Sequence, residues 1–179
     1  MIVHRAVVIP DQHAPIHDRK AVNVVLQALE MIKPDIFINL GDVGEWSSVS
    51  NHRYKRRKRP PLEYQLPEID KEVNQVNKLI DEFDSVLDSI GCTNRHILAG
   101  NHDEWLDSFV EENPYLDKYS FRNACKWDER GYKYRSYNEV LTIGKLSFVH
   151  GAYTGINPPR QHILSYGTNL MYGPTHDVS

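Results

Sequence analysis

The sequence is poor in the features that would tie it to a membrane or to an oxidising compartment. It has two cysteines, Cys92 and Cys125, in 179 residues. That is too few for a disulfide framework, and they do not form a paired thiolate metal motif. No apolar run approaches the ~20 residues that cross a bilayer. Met1-Ile2-Val3-His4 leads straight into a strand-like run and not into a leader peptide. There is no internal repeat. The expectation is a cytoplasmic protein without a membrane partner, organised as one domain over residues 1–179. Neither sign of charge dominates, with 21 Lys and Arg against 24 Asp and Glu. That balance hides one asymmetry, because Arg53-Tyr54-Lys55-Arg56-Arg57-Lys58-Arg59 is nearly all cationic.

What is present is a repeated pattern of apolar run, polar turn and amphipathic helix. Ile2 to Ile9 reads as a buried parallel strand, closed by Pro10 and the loop Asp11-Gln12-His13. Asp18 reads as the cap of a helix from Arg19 to Lys33, which Pro34 stops. Asp35 to Leu40 is a second strand, ending at Gly41-Asp42-Val43-Gly44-Glu45. The β-α-β order predicts a right-handed crossover and a parallel sheet. Residues 46–67 read as a polar insert carrying the basic run. A long helix is expected from Glu68 to Ile90, with Gly91 at its C-cap.

Arg95 to Ala99 is a third strand, followed by Gly100-Asn101-His102-Asp103 and a helix from Glu104 to Glu112. Tyr115, Tyr119, Phe121 and Trp127 suggest a helical insert packed through its aromatic side chains. Val140 to Val149 reads as a hairpin turning at Gly144-Lys145 and ending at His150-Gly151. A short helix, Arg160 to Tyr166, and a strand, Asn169 to Tyr172, lead to Gly173-Pro174-Thr175-His176.

Each strand end thus carries polar chemistry, and strand ends of an α/β sheet are where ligands collect. Asp11, His13 and Asp42 meet at one edge if the first two strands are parallel neighbours. Carboxylate, imidazole and amide oxygen together suit manganese, iron or zinc. Taken in order, Asp11-x-His13, Gly41-Asp42, Gly100-Asn101-His102-Asp103, His150 and the Gly173 to His176 stretch closely resemble the calcineurin-like metallophosphoesterase superfamily.

The resemblance implies an α/β/β/α sandwich: two packed mixed β-sheets flanked by helices, here with a C-terminus short for the family. It also implies two divalent metal ions, foremost manganese, with iron, zinc and nickel as alternatives. Asp11, His13, Asp42 and His176 would hold the first ion. Asp42, Asn101 and His150 would hold the second, with Asp42 bridging. A hydroxide between the metals would attack phosphorus. His102 would protonate the leaving oxygen, with Glu45 or Asp103 orienting it.

Two departures from the family pattern matter. Pro174 stands where relatives carry a ligand histidine, so a weak second site and reduced activity are expected. His17 and His162 are conceivable substitutes. The short C-terminus leaves a sheet edge open to oligomerisation. Trp46 stands where the family's protein phosphatases usually carry arginine. The basic run, with His17, Arg53, Lys55 and Arg56 as candidate substrate contacts, suits a nucleotide or nucleic acid. The expectation is a phosphodiesterase or nuclease. The alternatives are a phosphomonoesterase, or a catalytically impaired nucleic-acid-binding member.

Overall fold

The computed structural model describes residues 4–153 and 155–173. Four short strands form one sheet in chain order: β1 (Ala6–Ile9), β2 (Ile36–Asn39), β3 (Asn94–Leu98) and β4 (Tyr132–Arg135). All neighbours are parallel, with Val8 opposite Ile38, Ile38 opposite His96 and His96 opposite Lys133. The central strand β2 is buried along its whole length, as a parallel strand covered on both faces must be. Its side chains alternate between two cores. Phe37 joins the cluster under the helices, while Ile36 and Ile38 face Leu141 and Phe148 of the second sheet.

Helix α1 (Arg19–Ile32) starts at Asp18, whose Oδ1 accepts from the Lys20 and Ala21 amides at 2.7 and 3.4 Å. It ends where Lys33 turns left-handed ahead of Pro34. The insert differs from its expected form. Residues 51–54 make a short helix, α2 (Asn51–Tyr54), under a Ser50 cap. Arg59 closes the loop behind it by donating to Val49 O and Asn51 Oδ1, both at 2.9 Å.

Helix α3 (Leu62–Ser89) begins six residues earlier than Glu68 and carries Pro67 inside it. The proline removes one bond, to the carbonyl of Glu63, near the helix start. Buried Gln65 and Ile69 on either side anchor that turn, and Gln65 Nε2 donates to Ser48 O at 2.8 Å.

Helix α4 (Glu104–Glu112) has the bounds read from the sequence. A 3-10 turn (Pro114–Tyr119) and α5 (Phe121–Ala124) bury Tyr119, Phe121 and Trp127 and leave Tyr115 exposed. The second sheet is mixed. β5 (Leu141–Ile143) and β6 (Leu146–Phe148) form the hairpin, and β7 (Leu170–Met171) lies parallel to β6. Helix α6 (Pro158–Tyr166) joins β6 to β7, with proline in its first turn. Helices, parallel sheet and second sheet therefore stack in layers. Among the described residues no helix is long and apolar enough to cross a membrane. Pro174 and His176 lie outside the described residues.

Candidate metal centre

The loops after β1 and β2 are laced together by their backbones. Asp11 N donates to Gly41 O, His13 N to Asp42 O, Ala14 N to Val43 O and Glu45 N to Ala14 O, all between 2.8 and 3.0 Å. To run side by side this closely, Asp11, His13 and Asp42 take left-handed φ values of 53°, 50° and 51°. Non-glycine residues adopt that region at a cost and cluster in it at functional sites. The β3 loop approaches equally closely. A Cβ on Gly100 would sit 2.1 Å from Asp42 Oδ1, and one on Gly41 would sit 2.3 Å from Gly100 N. Neither position admits a side chain without moving Asp42 or the β3 loop.

Around buried Asp42 the side chains form two groups whose ligand atoms lie within 4.8 Å of one another: His13, Asp42 and His102, and Asp11, Asp42 and His150. Asp42 belongs to both. The sequence reading placed Asp11 beside His13 on one ion; here Asp11 gathers with His150. His13 is drawn the other way by Glu45, whose Oε2 lies 3.0 Å from its Nδ1.

The chemistry of the donor set fits a divalent cation. The Leu40 carbonyl can only accept, so Nδ1 of His150, 2.8 Å away, carries the proton. A neutral His150 then turns the Nε2 lone pair toward Asn101 Oδ1 at 3.0 Å and Asp42 Oδ2 at 3.4 Å. Three electron-rich atoms facing one another call for a positive charge among them. His13 has the same form: Nδ1 is held by Glu45 and Nε2 lies 3.8 Å from Asp42 Oδ2. Such outer hydrogen bonds fix the tautomer that a metal ligand needs.

The proton affinities of these side chains follow from their surroundings. Burial lowers the pKa of His13, and neighbouring His102 adds to that. Burial opposes the charge on Asp42, but His150 and the His102 amide hold its carboxyl below the usual range. His150 is likewise penalised by burial, yet Asp42 and Asp11 raise it.

His102 is oriented by Glu45, through the main chain first. Its Nδ1 lies 3.1 Å from Glu45 O and 3.5 Å from Glu45 Oε2. Its ring packs against His13 and Trp105, with centroids at 4.6 and 4.1 Å.

Asp103 bonds the backbone beneath the site. It sits at the N-cap position of α4, but its side chain neither caps the helix nor orients the His102 ring. It is fully buried, and its Oδ2 accepts from the Asp42 and Gly100 amides at 2.7 and 2.9 Å. Its Oδ1 accepts from Trp46 Nε1 at 2.8 Å. Burial and the charge of Asp42 push its carboxyl up to about 7 against these three donors. Asp103 therefore ties the Asp42 loop to the Asn101 loop. The sequence singles out Trp46 by its place in the family pattern, but its complete burial and its bond to Asp103 leave no local signal.

A family model described as calcineurin-like phosphoesterase matches residues 4–172. The chain belongs to that family. It is a phosphoesterase of a family that hydrolyses phosphoesters with bound metal ions. Comparison with curated proteins gives no match.

The remaining candidates lie farther out. His17 lines a cavity of about 360 Å³ beside Asp11, together with Gln12, Asp18 and Phe83, and belongs to neither ligand group. His162 is not a surface histidine. It is buried with its ring stacked 3.9 Å from that of Tyr172 and edge-on to Tyr153, and its Nδ1 is bonded to Pro158 O. Arg53, Lys55 and Arg56 line an open groove with His52 and Arg57.

Proposed function

We propose that this protein hydrolyses phosphodiesters at a two-cation centre in which Asp42 is the shared ligand. The observation that supports the two-cation centre is the presence of Asp42 in both ligand groups, with Asp11, His13 and His150 arranged around it. Asn101 adds a neutral oxygen, which limits negative charge where a phosphate must enter. His176 completes the ligand set on the sequence argument. Pro174, in place of a family histidine, leaves the second cation with few protein ligands, so weak occupancy there belongs to the proposal. Manganese is the proposed metal. Cations bound here supply positive charge to a phosphate and lower the pKa of the attacking water.

The chain's own residues do the rest. Glu45 and Leu40 fix the rings of His13 and His150 through their Nδ1 atoms. Glu45 O holds Nδ1 of His102, so Nε2 is the atom from which a protonated His102 gives its proton to the leaving oxygen.

The test is hydrolysis of bis-p-nitrophenyl phosphate with manganese against a chelator-treated control. His102→Ala serves as the second arm. The expected result is metal-dependent turnover that falls about 10²–10⁴-fold in the variant while bound manganese is retained. Turnover indifferent to chelator would overturn the centre. Loss of metal in the variant would make His102 a ligand instead of the acid.

A further inference from the structure

The basic run lies close to the candidate centre and joins it through aromatic rings. His52, Arg53, Lys55, Arg56 and Arg57 line a groove of about 510 Å³, and all five are exposed. Their setting leaves the charge available. Among the described residues, Arg59 is the one cation of the run in an ion pair, with Glu112 at 3.8 Å. The loop nevertheless has a fixed shape. Arg53 and Arg59 flank the Tyr54 ring at 5.6 and 5.2 Å, and Arg59 is bonded back to Val49 and Asn51.

The groove also has a fixed place relative to the centre. The His52 ring lies 5.6 Å from that of Trp105, which lies 4.1 Å from that of His102. The lip of the groove is therefore within about 10 Å of His102.

A single small phosphoester held at the centre would leave this groove unused. A chain of phosphates would fill both. Resting on the phosphodiesterase reading, we propose that the groove of His52, Arg53, Lys55, Arg56 and Arg57 binds the sugar–phosphate backbone of a nucleic-acid strand. The strand's next phosphates along from the one being cleaved occupy it. A nucleic acid fits better than an anionic membrane surface, because the cations line a groove and no apolar side chain lines it with them. Contacts of this kind go to phosphate, so they carry affinity and register and not base sequence.

The test compares wild type with Arg56→Glu/Arg57→Glu, two exposed side chains without an ion-pair partner among the described residues. Two readouts are taken in manganese. One is kcat/KM on a single-stranded 12-mer and on bis-p-nitrophenyl phosphate. The other is fluorescence anisotropy of a labelled phosphorothioate 12-mer across a salt series. The fall on the 12-mer should exceed that on the small diester at least tenfold. The slope of log affinity against log salt should shrink by about 1.4, at about 0.7 for each phosphate no longer neutralised. Equal falls on both substrates, or an unchanged slope, would overturn the proposal. So would tighter wild-type binding to phosphatidylserine vesicles than to the 12-mer. If wild type cleaves neither substrate, the phosphodiesterase reading fails, and the anisotropy series still decides the groove.

Discussion

Replacing Asp103 by Asn separates the two jobs of its carboxylate. Oδ2 takes both backbone donors, Asp42 N and Gly100 N, while Oδ1 takes only the indole of Trp46. An asparagine can keep its amide oxygen on the two backbone N–H groups. Its NH2 then faces the Trp46 N–H, donor against donor, where nothing is exposed to water. One hydrogen bond is lost and a buried donor is left unsatisfied, which costs about 1–3 kcal/mol. Trp46→Phe removes the opposing donor at its own cost in packing, since Trp46 is fully buried beside Phe121. In the double variant that clash is gone. The two single costs should therefore exceed the double by about 1–2 kcal/mol. Urea unfolding of the four proteins, in excess chelator so that metal linkage adds nothing, measures the cycle. Strict additivity would refute the assignment of Oδ1 to Trp46. A neutral Asp103→Asn would refute the wider claim that this carboxylate ties the two loops together.

Gly100→Ala puts a methyl where Asp42 Oδ1 stands 2.1 Å away, so manganese affinity by calorimetry should fall at least about 10–100-fold; affinity within twofold of wild type would contradict the crowding argument. His96 offers a pH test: burial, Lys133 and Arg135 push its pKa down to about 4, so the unfolded chain takes up the proton first as pH falls below about 6.5. The stability tied to neutral His96 is present above that pH and drains away toward pH 4, with about 2 kcal/mol lost by pH 5. His96→Leu should lack that loss, so its stability relative to wild type should rise by about that amount between pH 7.5 and pH 5, and a pH-independent difference would sink the idea.

The strand ends were legible because each apolar run closes on a polar turn, and parallel pairing then fixes which turns meet. β4 was not. Its Tyr132-Lys133-Tyr134-Arg135 alternates aromatic with cation and offers no apolar run, yet both tyrosines find half-buried acids. Tyr132 Oη donates to Asp84 at 2.9 Å and Tyr134 Oη to Asp107 at 3.5 Å. Those partners lie 48 and 27 residues away, beyond any local pattern. The start of α3 was hidden by Pro67, which a local rule treats as a stop and which the buried Gln65 and Ile69 override. The burial of His162 was not legible because α6 has no clean apolar face: it exposes Ile163 and Leu164 and buries the histidine among tyrosines.

The same limit explains the tetrapeptide Gly100 to Asp103. Sequence pattern marks it as chemical but cannot divide its labour. Asn101 Oδ1 faces His150, the His102 amide donates to Asp42 Oδ1 at 2.8 Å, and Asp103 bonds the backbone beneath Asp42. Three consecutive residues thus divide between two other strand ends, Asn101 reaching His150 after β6 and both His102 and Asp103 reaching Asp42 after β2. A cation ligand set built from loops would ordinarily be loose. Here the loops after β1 and β2 share four backbone bonds, and the β3 loop is clamped to them through the buried carboxylate of Asp103. Rigidity that parallel strands give only up to their last residue is thereby carried one turn farther, to the side chains that meet at Asp42.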